Sequence, residues 1–378
     1  MNLEIDLKTA EKIIEIIGET GKQNFDPHDV SDVDILKGIA SKIDNNEQLN
    51  QGEKDILTNF LYLNAVMDQG RDPVGVKELA TRVTNEAYKA DIKFLHNPNN
   101  FFENPRFFTR ILQQEHEKVK KERNKILKMR AYSLFDTRIN PYTMHRWGTV
   151  MLCLKKLSED HLTLLSFMKK AGRANNIPNL IRDNDEYGLG NAIGYKACHL
   201  LVKWLIHTFP IIERSDLRWG NNSYEIPLDS NVGGVFMRSG LLFLFTNEEE
   251  LWDTKCWIEQ SNERVNLSAQ RLNNLRISED HPISQELNEI LSAWGLRKRN
   301  LMKSLNAFVL RLQKRNFDIS IGQLDDGFMH IGQNYCKNQE LPLCNKCPLN
   351  ELCLANNKEP LLKTQFYCGT GQGVFFGR

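Results

Sequence analysis

Residues 335–356 read YCKNQELPLCNKCPLNELCLAN. Cys336, Cys344, Cys347 and Cys353 stand there in the pattern C-x7-C-x2-C-x5-C, within 18 residues. Four thiolates this close in the chain can close round one soft-ligand metal centre. A [4Fe–4S] cluster and a structural zinc both accept four cysteines. Zinc ribbons usually offer two C-x2-C knuckles separated by a longer loop. Here a single C-x2-C is flanked by lone cysteines at unequal distances, which favours the iron–sulfur cluster and leaves zinc as the alternative. Disulfides would need an oxidising compartment. The bland alternative is four unrelated buried cysteines.

The rest of the chain sets bounds on this reading. Its 378 residues suggest two domains, and 41% hydrophobic with 26% charged residues is enough to bury a full core. Met1 to Thr9 lacks the apolar run of a signal peptide, and no stretch approaches 18 apolar residues. A soluble protein is expected, cytoplasmic in a prokaryote or nuclear in a eukaryote, with no membrane partner and monomeric. The net charge of +1 permits nucleic-acid binding, which needs a local basic face and not a basic average. Cys153, Cys198 and Cys256 lie in apolar or helical surroundings and read as small buried residues.

Almost every segment reads as helix, so the expected fold class is all-α. Leu7–Ile17 and Asp34–Ile43 have helical spacing. An apolar helix over Ile56–Met67 stops at Asp68-Gln69-Gly70, and Pro73 opens another, as proline does in a first turn. Phe107–Arg130 is a long polar helix with a basic end, and Arg146–Leu157 is a further helix. Tyr187–Ile206 reads YGLGNAIGYKACHLLVKWLI, a glycine-punctuated turn before an apolar helix. Glycines there let backbone amides approach a phosphate at a helix N-terminus. Pro227–Leu242 reads PLDSNVGGVFMRSGLL, with Asp229 and Ser230 as candidate caps of a helix. Val235–Phe245 is ambiguous between helix and strand. The chain from Glu248 to Arg315 reads as helix again, basic from Ala293 onward, and the Gly- and aromatic-rich tail after Phe366 as a flexible end or a surface strap.

The cysteine stretch, with Tyr335 before it and Pro348-Leu349 inside it, resembles the iron–sulfur loop of helix-hairpin-helix DNA glycosylases of the endonuclease III and adenine glycosylase type, whose first gap is usually one residue shorter. The resemblance extends to three other motifs. Gln69 matches the glutamine that wedges into duplex DNA. Ala192-Ile193-Gly194-Tyr195-Lys196 is similar to the hairpin's Gly-x-Gly-x-Lys, with alanine in place of the first glycine. Asp229-Ser230-Asn231, followed by Val235 and Arg238, is similar to Val-Asp-Thr-His-x-x-x-Val-x-x-Arg, with asparagine in place of histidine. Ile226-Pro227-Leu228-Asp229 also resembles a run in some archaeal 8-oxoguanine glycosylases, which lack the cluster loop.

The resemblance implies two helical domains joined by a helix-hairpin-helix motif. Residues 1–54 would pack with the C-terminal domain; 55–225 would form a helical bundle, with 94–138 as an insertion; 226–360 would carry the cluster; and 361–378 would be a tail. It further implies a DNA glycosylase that flips a damaged or modified base from duplex DNA and cuts its N-glycosidic bond. Lys196 would be the nucleophile, adding lyase activity, and Asp229 the carboxylate that stabilises the sugar. Gln69, Gly190, Gly194, Arg238, Lys337 and Lys346 would contact DNA. The alternatives are a glycosylase that uses water, an iron–sulfur DNA-binding protein without catalysis, and a zinc-stabilised helical adaptor.

Overall fold

The computed structural model describes residues 5–24, 30–68, 73–127, 139–212, 224–227, 230–241, 244, 275–276, 305, 308–309, 312, 318–336, 342–358 and 367–368. These residues are mostly helical, as the sequence led us to expect. They fall into two compact units, 27–224 and 1–26 with 225–378. Among the described residues no helix is long and apolar enough to cross a membrane.

The unit spanning 27–224 carries α2 (Lys37–Asp44), α3 (Gln51–Met67), α4 (Pro73–Lys89), α5 (Asn99–Glu103), α6 (Pro105–Leu127), α7 (Ile139–Glu159), α8 (Leu164–Lys169), α9 (Ile177–Arg182), α10 (Leu189–Ala192) and α11 (Tyr195–Lys203). Helix α3 starts on a capping box: Asn50 accepts from the Glu53 amide while the Glu53 carboxylate takes the Asn50 amide. Its second half, from Leu57 to Met67, is buried almost all round except at Asn59, which makes it the central helix of this unit.

Phe94, Phe101 and Phe108, in the segment 94–138 expected as an insertion, contribute to this core. Phe94 and Phe108 meet edge-on at 5.4 Å, Phe101 sits 4.5 Å from Phe108, and Trp147 of α7 lies 5.7 Å from Phe94. Such pairs add about 0.5–1.5 kcal/mol each beyond the apolar area they bury. Residues 30–54, expected to pack with the C-terminal domain, belong instead with this unit. Asn85 on α4 accepts from the Asp34 amide at 2.8 Å and donates to the Asp32 carbonyl at 2.9 Å, and Lys42 pairs with Glu53 at 2.6 Å.

In the other unit α1 (Leu7–Gln23) is capped by Asp6, whose carboxylate accepts from the Thr9 amide, and buries Ala10, Ile13, Ile14 and Ile17. It packs on α13 (Ile321–Asn334), which opens on a second capping box, Ser320 with Gln323. Helix α12 (Ser230–Ser239) lies against the same α13. The run that was ambiguous from Val235 onward is therefore helical to Ser239. Leu305, Phe308, Val309 and Leu312 are helical and buried, an i, i+3, i+4, i+7 stripe within the basic segment. The helical reading fails at Leu275–Arg276, which forms a two-residue antiparallel pair with Tyr367–Cys368 of the tail. A strand needs only a partner across the ladder, and that partner lies far along the chain.

Candidate metal centre and hairpin

The four clustered cysteines sit on a framework of local backbone bonds. Tyr335 and Cys336 both donate their amides to the Ile331 carbonyl, so Cys336 leaves the end of α13 in a fixed direction. The Leu343 amide then returns to the Tyr335 carbonyl at 2.7 Å, which closes the first gap. Cys344–Lys346 is a 3₁₀ turn, the Cys347 amide bonds the Cys344 carbonyl, and the Cys353 carbonyl caps the short helix α14 (Leu354–Asn357). Leu349, Leu354 and Ala355 anchor the loop, each 1% exposed. Asn356 and Asn357 hold it from outside through the Asn350 carbonyl at 3.0 and 2.9 Å.

All four thiols line one cavity, together with Arg238 and Tyr335. None of the six described free cysteines is in a disulfide. Among the described residues no three His, Cys, Asp or Glu side chains are gathered to hold a metal ion; the sulfurs stand round a hollow. Burial pushes the Cys347 and Cys353 thiols up to about 12. A bound cation reverses that preference, because a coordinating thiol is deprotonated outright. Four thiols are the donor set that a soft metal group takes.

Arg238 was expected at a DNA interface; that expectation needs correcting. It is 1% exposed. Its guanidinium donates to the Cys336 carbonyl and stands 3.4 Å from Cys336 Sγ, and its own carbonyl accepts from Cys353 Sγ at 3.1 Å. One residue of α12 thus braces the first and last cysteines of the loop. Arg238→Met should leave the Cys336 carbonyl without its donor and lower stability by about 1–3 kcal/mol. Arg238→Lys should recover part of this, since lysine lacks the planar fork. Denaturant midpoints equal to the parent's in both variants would show that the brace carries no weight. Lys346, on the turn between Cys344 and Cys347, is exposed; Lys337 lies outside the described residues.

The glycine turn belongs to the other unit. Gly188 adopts φ +71° and starts the single turn of α10, Ile193 is extended, and Gly194 is the residue before α11. Gly194 makes no side-chain cap bond to α11, and its carbonyl accepts from the Cys198 amide at 3.0 Å. Lys196 is the second residue of that helix and half-buried. Gly190 was expected to contact DNA; its place in the fold accounts for it differently. Its amide donates to the Asn184 carbonyl at 3.2 Å, and a Cβ there would run into the Arg182 carbonyl at the end of α9. Glycine is needed at 190 for packing of the protein on itself.

Helix α3 ends at Met67 and α4 begins at Pro73, as the sequence indicated. Arg146 of α7 donates to the Val66 and Met67 carbonyls at 3.0 and 3.4 Å, a basic side chain on the last carbonyls of a helix. Gln69 and Asp229 lie outside the described residues; α12 begins at Ser230, directly after Asp229. Sequence reasoning missed the roles of Arg238, Arg146 and Asn356. No known protein family, curated protein or solved structure matches the chain.

Proposed function

We propose that this protein is an iron–sulfur DNA glycosylase of the helix-hairpin-helix kind. The observation that carries the reading is the convergence of Cys336, Cys344, Cys347 and Cys353 on one cavity in a loop braced by Arg238. The uncapped start of α11, with Gly194 before it and Lys196 in its first turn, supports the DNA-binding half of the reading.

Cys336, Cys344, Cys347 and Cys353 would hold a [4Fe–4S] cluster, which when bound would pin the loop that bears Lys346. The chemistry falls to other residues. A base inside a duplex is out of reach, so its nucleotide is turned into a pocket, and Gln69 would fill the gap. Lys196 Nζ would attack C1′ as the base departs, giving a Schiff base whose β-elimination cuts the strand. The Asp229 carboxylate would stabilise the positive charge that develops on the sugar.

The test has two parts. Protein purified without oxygen should be brown and hold about four irons per chain. It should also release a base from at least one of a panel of duplexes carrying different lesions, with borohydride present to trap an imine. Colourless protein with one zinc would remove the cluster. Inactivity across the panel, with tight duplex binding, would leave a DNA-binding protein without catalysis.

A further inference from the structure

We propose that the turn at residues 169–173, between α8 and α9, is a second contact surface for the phosphate backbone of duplex DNA. The proposal rests on the DNA reading above, and it concerns residues that no motif singled out. From His161 to Arg182 the chain holds no carboxylate, yet it holds Lys169, Lys170, Arg173 and Arg182. Lys169, Lys170 and Arg173 are exposed, and none of the three makes an ion pair among the described residues.

Several other cations of this unit stand against carboxylates. Lys37 sits on Asp34, Lys42 on Glu53, Arg82 on Glu78 and Glu122, Lys89 on Glu86, and Lys118 on Glu115. The long polar helix α6 interleaves its lysines with Glu115, Glu117 and Glu122, which is the pattern of a solvated face. The turn at 169–173 is instead a local field of one sign.

It is also held in shape. The Lys170, Ala171 and Gly172 amides bond the Phe167, Met168 and Lys169 carbonyls at 3.0–3.2 Å, and Asn176 Nδ2 reaches the Ala171 carbonyl at 3.3 Å. Gly172 adopts φ +72° with open space where a Cβ would be, so the residue is set by the reversal of the chain and not by crowding. Phe167, Met168 and Ala174 are buried on either side and anchor the turn. Lys170 Nζ lies 5.7 Å from the Phe167 ring centroid, which steadies one of the three charges. Helix α9, which the turn enters, packs on both α8 and α11. The turn and the Gly194–Lys196 hairpin are therefore carried on one helical scaffold. Three exposed cations in five residues, with no ion pair among the described residues, match a phosphate backbone, whose charges repeat at regular short intervals.

The experiment is duplex binding by the full-length protein between 50 and 200 mM salt. The triple variant Lys169→Ala, Lys170→Ala, Arg173→Ala should give a log K against log salt slope shallower by about 2 to 3, because each phosphate contact contributes roughly 0.9. A control triple variant, Lys37→Ala, Lys42→Ala, Lys89→Ala, should keep the parent slope, since those charges are already met by carboxylates. Equal slopes for parent and turn variant, with the parent binding duplex, would overturn this proposal and leave the glycosylase reading standing. A parent that does not bind duplex at all would overturn both.

Discussion

On the glycosylase proposal, Lys196→Gln is expected to abolish borohydride trapping and strand cleavage on the processed lesion, while lesion binding largely survives. The expectation follows from where Lys196 sits. It is the second residue of α11, half-buried, with Ala197 and Cys198 beside it in the core. The helix start beneath it has no side-chain cap. An amine attacks only when it is neutral, and the positive end of a helix dipole acts against an ammonium. Asp229→Asn is expected to slow base release by ~10²–10³-fold, the order seen when one electrostatic stabiliser is removed from a preorganised site. The pair of variants separates the mechanisms. If Lys196→Gln releases base at the parent rate and Asp229→Asn does not, water is the nucleophile and the lyase step falls. If neither substitution changes any activity, both residue assignments fall and the active site lies elsewhere.

Gly21→Ala and Gly327→Ala should each destabilise the unit that holds the cysteine loop by about 3 kcal/mol or more, at the upper end of overpacking costs. Helices α1 and α13 meet backbone to backbone. A Cβ on Gly21 would be driven into the Gln323 carbonyl, with the Gly327 amide 2.8 Å away, and a Cβ on Gly327 would be driven into the Ile17 carbonyl. The obstacle at both positions is main chain, which cannot rotate aside as a side chain can. Gly332 makes a related approach to α12, where a Cβ would lie 2.7 Å from Asn231 Cβ. The helices would have to separate, and Cys336, two residues beyond α13, would be displaced with them. On the cluster proposal, iron retention should therefore fall along with the denaturation midpoint. Gly38 of α2 provides the control, because a Cβ there meets nothing within 4 Å. Gly38→Ala should stabilise the protein by roughly 0.5–1 kcal/mol through helix propensity alone. A midpoint for Gly327→Ala that matches the parent would refute the close packing.

The two sets of variants differ in what they disturb. Lys196 and Asp229 are proposed to touch the reacting sugar, so their loss should leave melting unchanged. Gly21 and Gly327 touch nothing but the protein itself, so their loss should appear first in melting and only then in metal content.

Much of the local structure was legible from residue order alone. Pro73 placed the start of α4, and helical spacing marked α1 and α3, because i, i+3 and i+4 residues meet within one helix whatever the surroundings. The backbone bonds of the cysteine loop are local in the same way, all lying between Ile331 and Lys358. Three features were settled only by tertiary contact. Arg238 finds Cys336 98 residues away, so its sequence motif could not tell a buried brace from a DNA contact. Gly190 is explained by the Arg182 carbonyl, and Gly21 and Gly327 by each other's helices. Phe94 and Phe108 became core because Trp147 lies across from them. A helix's own periodicity says which face will be buried, but the surface that buries it belongs to a distant segment, and its shape is encoded only in the folded pair.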